Sequence, residues 1–467
     1  MRSCSRTWIL LNLAGALLAP LVSDAAPRLP ASDAEVVERL PTRAADPRAR
    51  ELRALRAEVQ RAPQDADAAV RLARRYFELA AAEGDPRYAG QAQAALRPWW
   101  GLGAPRPAEA GRHPASMPAG PHQPLASAQA LARRGFGPPR GPSKVAEPHL
   151  PGIDPPPAVR VLRAMLLQYE HQFDAAVADL EAALRVQPED AEAWSWLAAI
   201  HMVRADYAAA RRACDRLAPL VTPLIGVACT AYVDSLTGRA AAAAQALRAA
   251  LAADRDAAPE QRLWALTRLA EIEALRGAFD TAEAAFKQAL ALGLADTYLL
   301  AAYADFLLDR GRPAEVLPLL KDRARADVLL LRLAIAGQAS GDVAAAGWTR
   351  ELASRFDAAR ARGDTSHQKE ESRFVLAFQG RPPTATMATT AKAADKSEAD
   401  AAAKRALELA AKNWAEQREP ADARILLEAA AAARQPAAAA PVLKWMADAG
   451  IESVVLKQLA AQLGSAR

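Results

Sequence analysis

Across residues 158–356 the apolar positions fall at helical spacing in paired stripes separated by short polar turns. Leu266, Leu269, Ala270 and Glu273 continue one stripe, Gly277 ends that helix, and Ala282, Phe286 and Ala289 open the stripe of a second. A two-helix hairpin cannot bury both stripes by itself. The pattern returns on schedule: Leu300, Tyr303, Ala304, Leu307, Gly311 and Leu320 stand 34 residues after Leu266, Leu269, Ala270, Glu273, Gly277 and Phe286. A fixed period of this length marks stacked helical repeats. The spacing predicts hairpins over 158–188, 191–217, 225–251, 263–294, 297–320 and 328–356. Runs with period-two alternation are nearly absent, which argues against a sheet.

The residues at these offsets resemble the tetratricopeptide repeat (TPR) family, whose pattern is W-x2-L-G-x2-Y, then A-x3-F, then a proline. Trp194, Leu197 and Ala198, followed by Tyr207, Ala210 and Cys214, match it, as do Phe173, Ala176, Leu180, Ala183, Leu184 and Pro188. The departures keep small and large positions in register: Ala198 and Ala270 replace Gly, Cys214 stands at the large aromatic position, and Pro313 replaces an aromatic in the turn. The resemblance covers about two thirds of the chain and implies an all-α fold, an α-α superhelix of helical hairpins with a concave binding face.

Outside the repeats the pattern changes. Two short helical stretches around Val36–Leu40 and Leu52–Val59 read as an atypical amino-terminal cap, and a first hairpin runs from Asp67 to Leu96, so that 26–100 forms one section. Prolines then recur from Pro105 to Pro157, and residues 101–157 read as a long disordered insertion with at most one short helix at 126–134. The solenoid occupies 158–380. Its last helix is expected to start at Thr365 or Ser366, with Gln368 placed for a capping box on Thr365, and to end at Gly380. A low-complexity linker at 381–400 follows. Helical periodicity resumes over 401–467 through Leu407, Trp414, Ile425, Trp445 and Leu456, closing in a carboxy-terminal cap.

Composition adds a compartment. Arg2 and Arg6 precede the apolar run from Trp8 to Leu18, and Ser23 and Ala25 are the small residues before a cleavage point, so 1–25 reads as a secretory signal peptide. The run is too short to span a bilayer comfortably, and a soluble mature protein of the periplasm or the cell exterior is expected, without stable membrane insertion. In such a compartment Cys214 and Cys229, the cysteines left after cleavage, are expected to form a disulfide; the other use of the pair is as two small buried apolar side chains. A formal charge of +5 over 467 residues, with Arg pairs scattered along the chain, does not point to nucleic acid.

Candidate chemistry is thin. His113, His122 and His149 lie far apart in the insertion with no thiol or carboxylate at ligand spacing, and His201 takes a position where the TPR family prefers tyrosine, as a packed histidine. In His367–Glu371 a histidine and glutamates share a helix start, but the second histidine of a zinc motif is missing, and Glu370 and Glu371 suit the positive end of a helix. No nucleophile, base and oxyanion site assemble, and no enzyme, cofactor or metal site is expected. In the TPR register, inward positions of the first helices are Met165 and Gln168, Ser195 and Met202, Tyr232, then Trp264, Thr267 and Glu271, and finally Tyr298 and Asp305. The surface is aromatic and acidic and lacks the Lys, Asn and Arg run that clamps a terminal carboxylate. The resemblance thus implies a scaffold for a peptide or protein ligand that is apolar with basic or amide character. An accessory component of envelope assembly or export machinery is the alternative.

Overall fold

The structure, a computed structural model of the chain, describes residues 47–83, 86–100, 154–294, 296–361, 363, 367–379 and 393–465. The chain divides into two compact units, Met1–Glu51 and Leu52–Arg467. Of the first, only the opening residues of one helix are described, and the packing relations given below lie within the second. The expected signal peptide, Val36–Leu40, residues 101–153 of the expected insertion, Thr365, Ser366 and Gly380 fall outside the described residues.

Among the described residues the fold is all-α. The chain opens with α1 (Pro47–Arg61), α2 (Ala66–Glu83) and α3 (Pro86–Ala95). The stack continues with α4 (Pro157–Tyr169) and α5 (Phe173–Val186), α6 (Ala191–Val203) and α7 (Tyr207–Leu217), α8 (Pro223–Ser235) and α9 (Ala240–Ala253). Next come α10 (Pro259–Leu275) and α11 (Phe279–Ala291), α12 (Thr297–Asp309) and α13 (Pro313–Leu320), α14 (Asp327–Ser340) and α15 (Ala345–Ala361). A carboxy-terminal group follows: α16 (Gln368–Phe378), α17 (Ala393–Glu416), α18 (Pro420–Ala432), α19 (Ala440–Ala449) and α20 (Val454–Ser465).

From α2 to α15 the helices pack as successive TPR-like pairs, and each first helix of a pair from α4 onward also touches the first helix of the next. Small residues make this close stacking geometrically feasible: Ala164, Ala193, Ala228, Ala265 and Ala304 are fully buried. Larger rings fill the remaining space, and Phe286 lies 5.3 Å from Tyr303 and 5.5 Å from Phe306 between ring centroids. Truncating such a buried ring to alanine costs roughly 3–5 kcal/mol.

Helix starts follow local rules. The side chains of Asp190, Asp206 and Asp296 accept hydrogen bonds from the N–H groups of Ala193, Ala209 and Leu299, at 3.0, 3.0 and 2.7 Å. Proline takes the first position of α4, α8, α10, α13 and α18, where a missing N–H loses no helical bond. The turn inside each pair from α4 onward needs one left-handed residue, supplied by His171, Ala205, Gly238, Gly277, Gly311 and Gly341 in turn. His171 and Ala205 adopt it at φ 60° and 59° without glycine's freedom.

Helix starts differ from the sequence expectation at α8 and α10, which begin two and four residues early, and at two further places. The last helix before the low-complexity stretch begins at Gln368, with His367 as its N-cap residue. The following helix, α17, begins at Ala393, inside the stretch whose composition suggested a linker; alanine, the best helix former, makes that extension inexpensive.

The group α16–α20 lies along the turns of the stack. His171 Nε2 and Gln417 Nε2 are 2.6 Å apart, and Arg418 N–H donates to the Val203 carbonyl at 2.7 Å. Trp445 Nε1 donates to the Tyr207 hydroxyl at 3.0 Å, and Ala240 N–H donates to the Glu452 carboxylate at 2.7 Å. Gly238 meets Gly450 backbone to backbone, and Gly277 lies against Val454. One carboxy-terminal group therefore fastens successive hairpin turns.

Candidate functional site

Because α16–α20 hold the turns, they stand off from the faces of the first helices and leave a chamber of about 690 Å³. Helices α8, α10, α12 and α14 form one wall, α16, α18 and α20 the other, and Ala81 of α2 reaches its edge. Volumes of roughly 300–1,000 Å³ suit small ligands or a few side chains.

At one end Arg268 lies between two tyrosines, its guanidinium carbon 4.2 Å from the Tyr232 ring centroid and 4.9 Å from that of Tyr298. It pairs with Glu271 at 2.9 Å and donates to the Tyr298 hydroxyl at 3.1 Å. Tyr298 in turn donates to Glu271, and Tyr232 donates to Glu419 at 3.2 Å. Burial, with the Glu419 carboxylate, pushes the Tyr232 phenol well above its ordinary range. Tyr298 is 48% exposed and lines the chamber.

At the other end Asp305 receives Arg332 and Arg373, each at 2.6 Å. Burial alone would raise its carboxyl, but the two guanidiniums bring it down to about 2. Arg424 bridges Asp309 and Glu428, both at 2.7 Å. Lys369 lies 3.4 Å from the fully buried Asp422, which also accepts from Asn413 and from the N–H of Glu419. The Asp422 carboxylate holds the Lys369 ammonium above its usual range, with Glu370 and Glu419 adding to the effect against burial. Glu419 itself is pushed up, first by burial and then by Asp422.

The structure brings together four of the inward positions expected from the sequence, Tyr232, Glu271, Tyr298 and Asp305, at the chamber. The other six do not line it. Met165, Met202 and Thr267 are buried, and the Thr267 hydroxyl bonds back to the Leu263 carbonyl at 2.8 Å. Gln168 and Trp264 are half-buried, and Ser195 is exposed. Glu371 at the start of α16 is buried against Arg360 and Arg405, whereas its neighbour Glu370 lines the chamber. Sequence reasoning missed Arg268, although it stands four residues after Trp264 and three before Glu271, on the same helical face. It also missed Lys369, Arg373 and Glu419, whose helices carry no repeat register to aim them.

Cys214 near the end of α7 and Cys229 within α8 form a disulfide, with Cα atoms 5.6 Å apart. No described helix is long and apolar enough to cross a membrane.

No protein-family model matches the chain, and no curated protein matches it. Among solved structures it is similar to the crystal structure of the P58(IPK) TPR domain, at 12% identity over 66% of this chain and 97% of that one, with a TM-score of 0.21. A superposition this loose carries no argument, and the fold stands on the repeat spacing and hairpin packing.

Proposed function

We propose that this chain is a non-catalytic scaffold of the periplasm or the cell exterior that holds a segment of a peptide or protein partner in the chamber. The reading is carried by Tyr298, an accessible ring on the chamber wall held by Arg268 and Glu271. A residue whose role was only to fill a core would be covered. The lining offers aromatic faces and fixed ion pairs, the chemistry of recognition. The basic and apolar residues ahead of Ala25 support the compartment, as does the Cys214–Cys229 bridge.

Capture from an envelope fraction tests the reading. Wild-type protein should retain a partner that a folded Tyr298→Ala variant and an Ala301→Trp variant, which fills the chamber, both release. Capture unchanged by either would overturn it. An outer-membrane barrel as the captured partner would favour an accessory role in export.

A further inference from the structure

We propose that the chamber selects an organic cation, an amine or guanidinium on an apolar stem, and that Glu370 and Glu419 are the carboxylates that receive it. This rests on the chamber being the partner site. Cations and carboxylates are unevenly matched there. Arg332 and Arg373 are held by Asp305, Arg424 by Asp309 and Glu428, and Arg268 by Glu271. Arg310 lies over the Phe279 ring, 4.3 Å from its centroid, at the exposed end of α12.

Glu370 has no such partner. It is only 9% exposed, it lines the chamber, and among the described residues it makes neither a hydrogen bond nor an ion pair. Glu419 caps α18 in a reciprocal box with Asp422 and accepts the Tyr232 hydroxyl, again with no ion pair among the described residues. Lys369 attracts both, Arg332 attracts Glu370 and Arg268 attracts Glu419, but the contacts of these cations are with Asp422, Asp305 and Glu271. A buried carboxylate with no cation in contact is costly. An anionic guest would add to that cost, and a neutral one would leave it in place. An ammonium or guanidinium would remove it through charge-assisted hydrogen bonds. The stem has its own wall in Leu275, Phe279, Phe306 and Leu331.

A free amine and a lysine or arginine side chain share this chemistry, and calorimetry on the full chain separates them. One arm compares phenylbutylamine with phenylbutanol. The other compares the blocked tripeptide Leu-Lys-Leu with Leu-norleucine-Leu. In at least one arm the charged probe should bind about tenfold more tightly than its neutral partner, the scale of one charged hydrogen bond. Glu370→Gln and Glu419→Gln should each erase that preference while leaving the neutral probe unaffected. Glu370→Gln removes no hydrogen bond, so it should fold, and Glu419→Gln reports independently if it does not. Equal affinities in both arms, no binding in either, or a preference untouched by the folded variants would overturn the inference. The scaffold reading has a separate readout: partner capture lost in Tyr298→Ala and retained in Glu370→Gln would leave it standing with the cation inference refuted.

Discussion

Tyr232 on α8 donates its hydroxyl to Glu419, at the start of α18, across 187 positions of sequence. That bond joins the inward face of the hairpin stack to the carboxy-terminal helices. The face an open stack would offer to a partner is thus partly engaged by its own chain, with Tyr298 and Glu271 still accessible beside it. Size selection follows from this arrangement. Under the proposed reading a guest must fit between the two walls, so a side chain or a small molecule is favoured over a long helix.

The attachment of the carboxy-terminal helices can be measured at Gly277. Its φ is +81°, and a Cβ there would stand 3.2 Å from Val454 Cγ1. Gly311 has a similar φ, +67°, with nothing within 4 Å. Alanine at Gly311 should therefore cost only the backbone strain, about 1 kcal/mol, and alanine at Gly277 more. Val454→Ala should remove the excess in a double-variant cycle read by chemical denaturation. Equal costs at the two glycines would mean that α20 does not press on this turn.

Acid should loosen α16 from the stack. Arg332 and Arg373 overcome the burial of Asp305 and hold its carboxyl at about 2, below its unfolded value. Its stabilisation is present above the unfolded value of about 3.9 and is lost as the pH falls through the folded one; the full amount is on the order of 2 kcal/mol. Asp305→Asn should therefore be less stable than wild type at pH 6, with the gap closing toward pH 2. Hydrogen exchange in α16 is the readout, and a gap independent of pH would refute the assignment.

The stack was legible because each repeat restates the same rule: the 34-residue step from Leu266 to Leu300 fixes which face meets the neighbouring hairpin. The inward placement of Tyr298 and Glu271 follows from that register. No comparable step links Trp445 to Tyr207 or Glu419 to Tyr232, so the helical periodicity of α18 and α19 announces helices without saying where they dock. Arg268 was hidden differently. A lone arginine on a helix reads as solvated, and only the closeness of Tyr232 and Tyr298, set by packing between hairpins, turns it into the centre of an aromatic site.

The Cys214–Cys229 bridge closes a loop with a sequence separation of 15. In the chain-entropy model such a loop stabilises by about 3 kcal/mol. A Cys214→Ala, Cys229→Ala variant should lose a stability of that order and become insensitive to reductant, while wild type should drop toward it when reduced. Mass analysis of the unreduced, denatured protein should show no alkylation at either position. Two equivalents of label would show that the thiols are free.

Glu419 should give a pH dependence opposite in sign to that of Asp305. Burial, followed by the Asp422 carboxylate, holds its carboxyl above the ordinary range. The folded protein therefore binds this proton more tightly than the unfolded chain does. Below the unfolded value, about 4.3, both states are protonated and nothing is lost; as the pH rises through the folded value, ionising Glu419 in place erodes stability. Glutamine keeps an acceptor for the Tyr232 hydroxyl and never ionises. Measured against wild type, Glu419→Gln should thus gain relative stability from pH 4 to pH 8 in melting experiments. A bound amine should shrink that gain, because its charge favours ionised Glu419 in wild type and finds none in the variant. Parallel stability profiles for the two proteins would show that Glu419 does not titrate in the chamber, and would remove it from the proposed cation site.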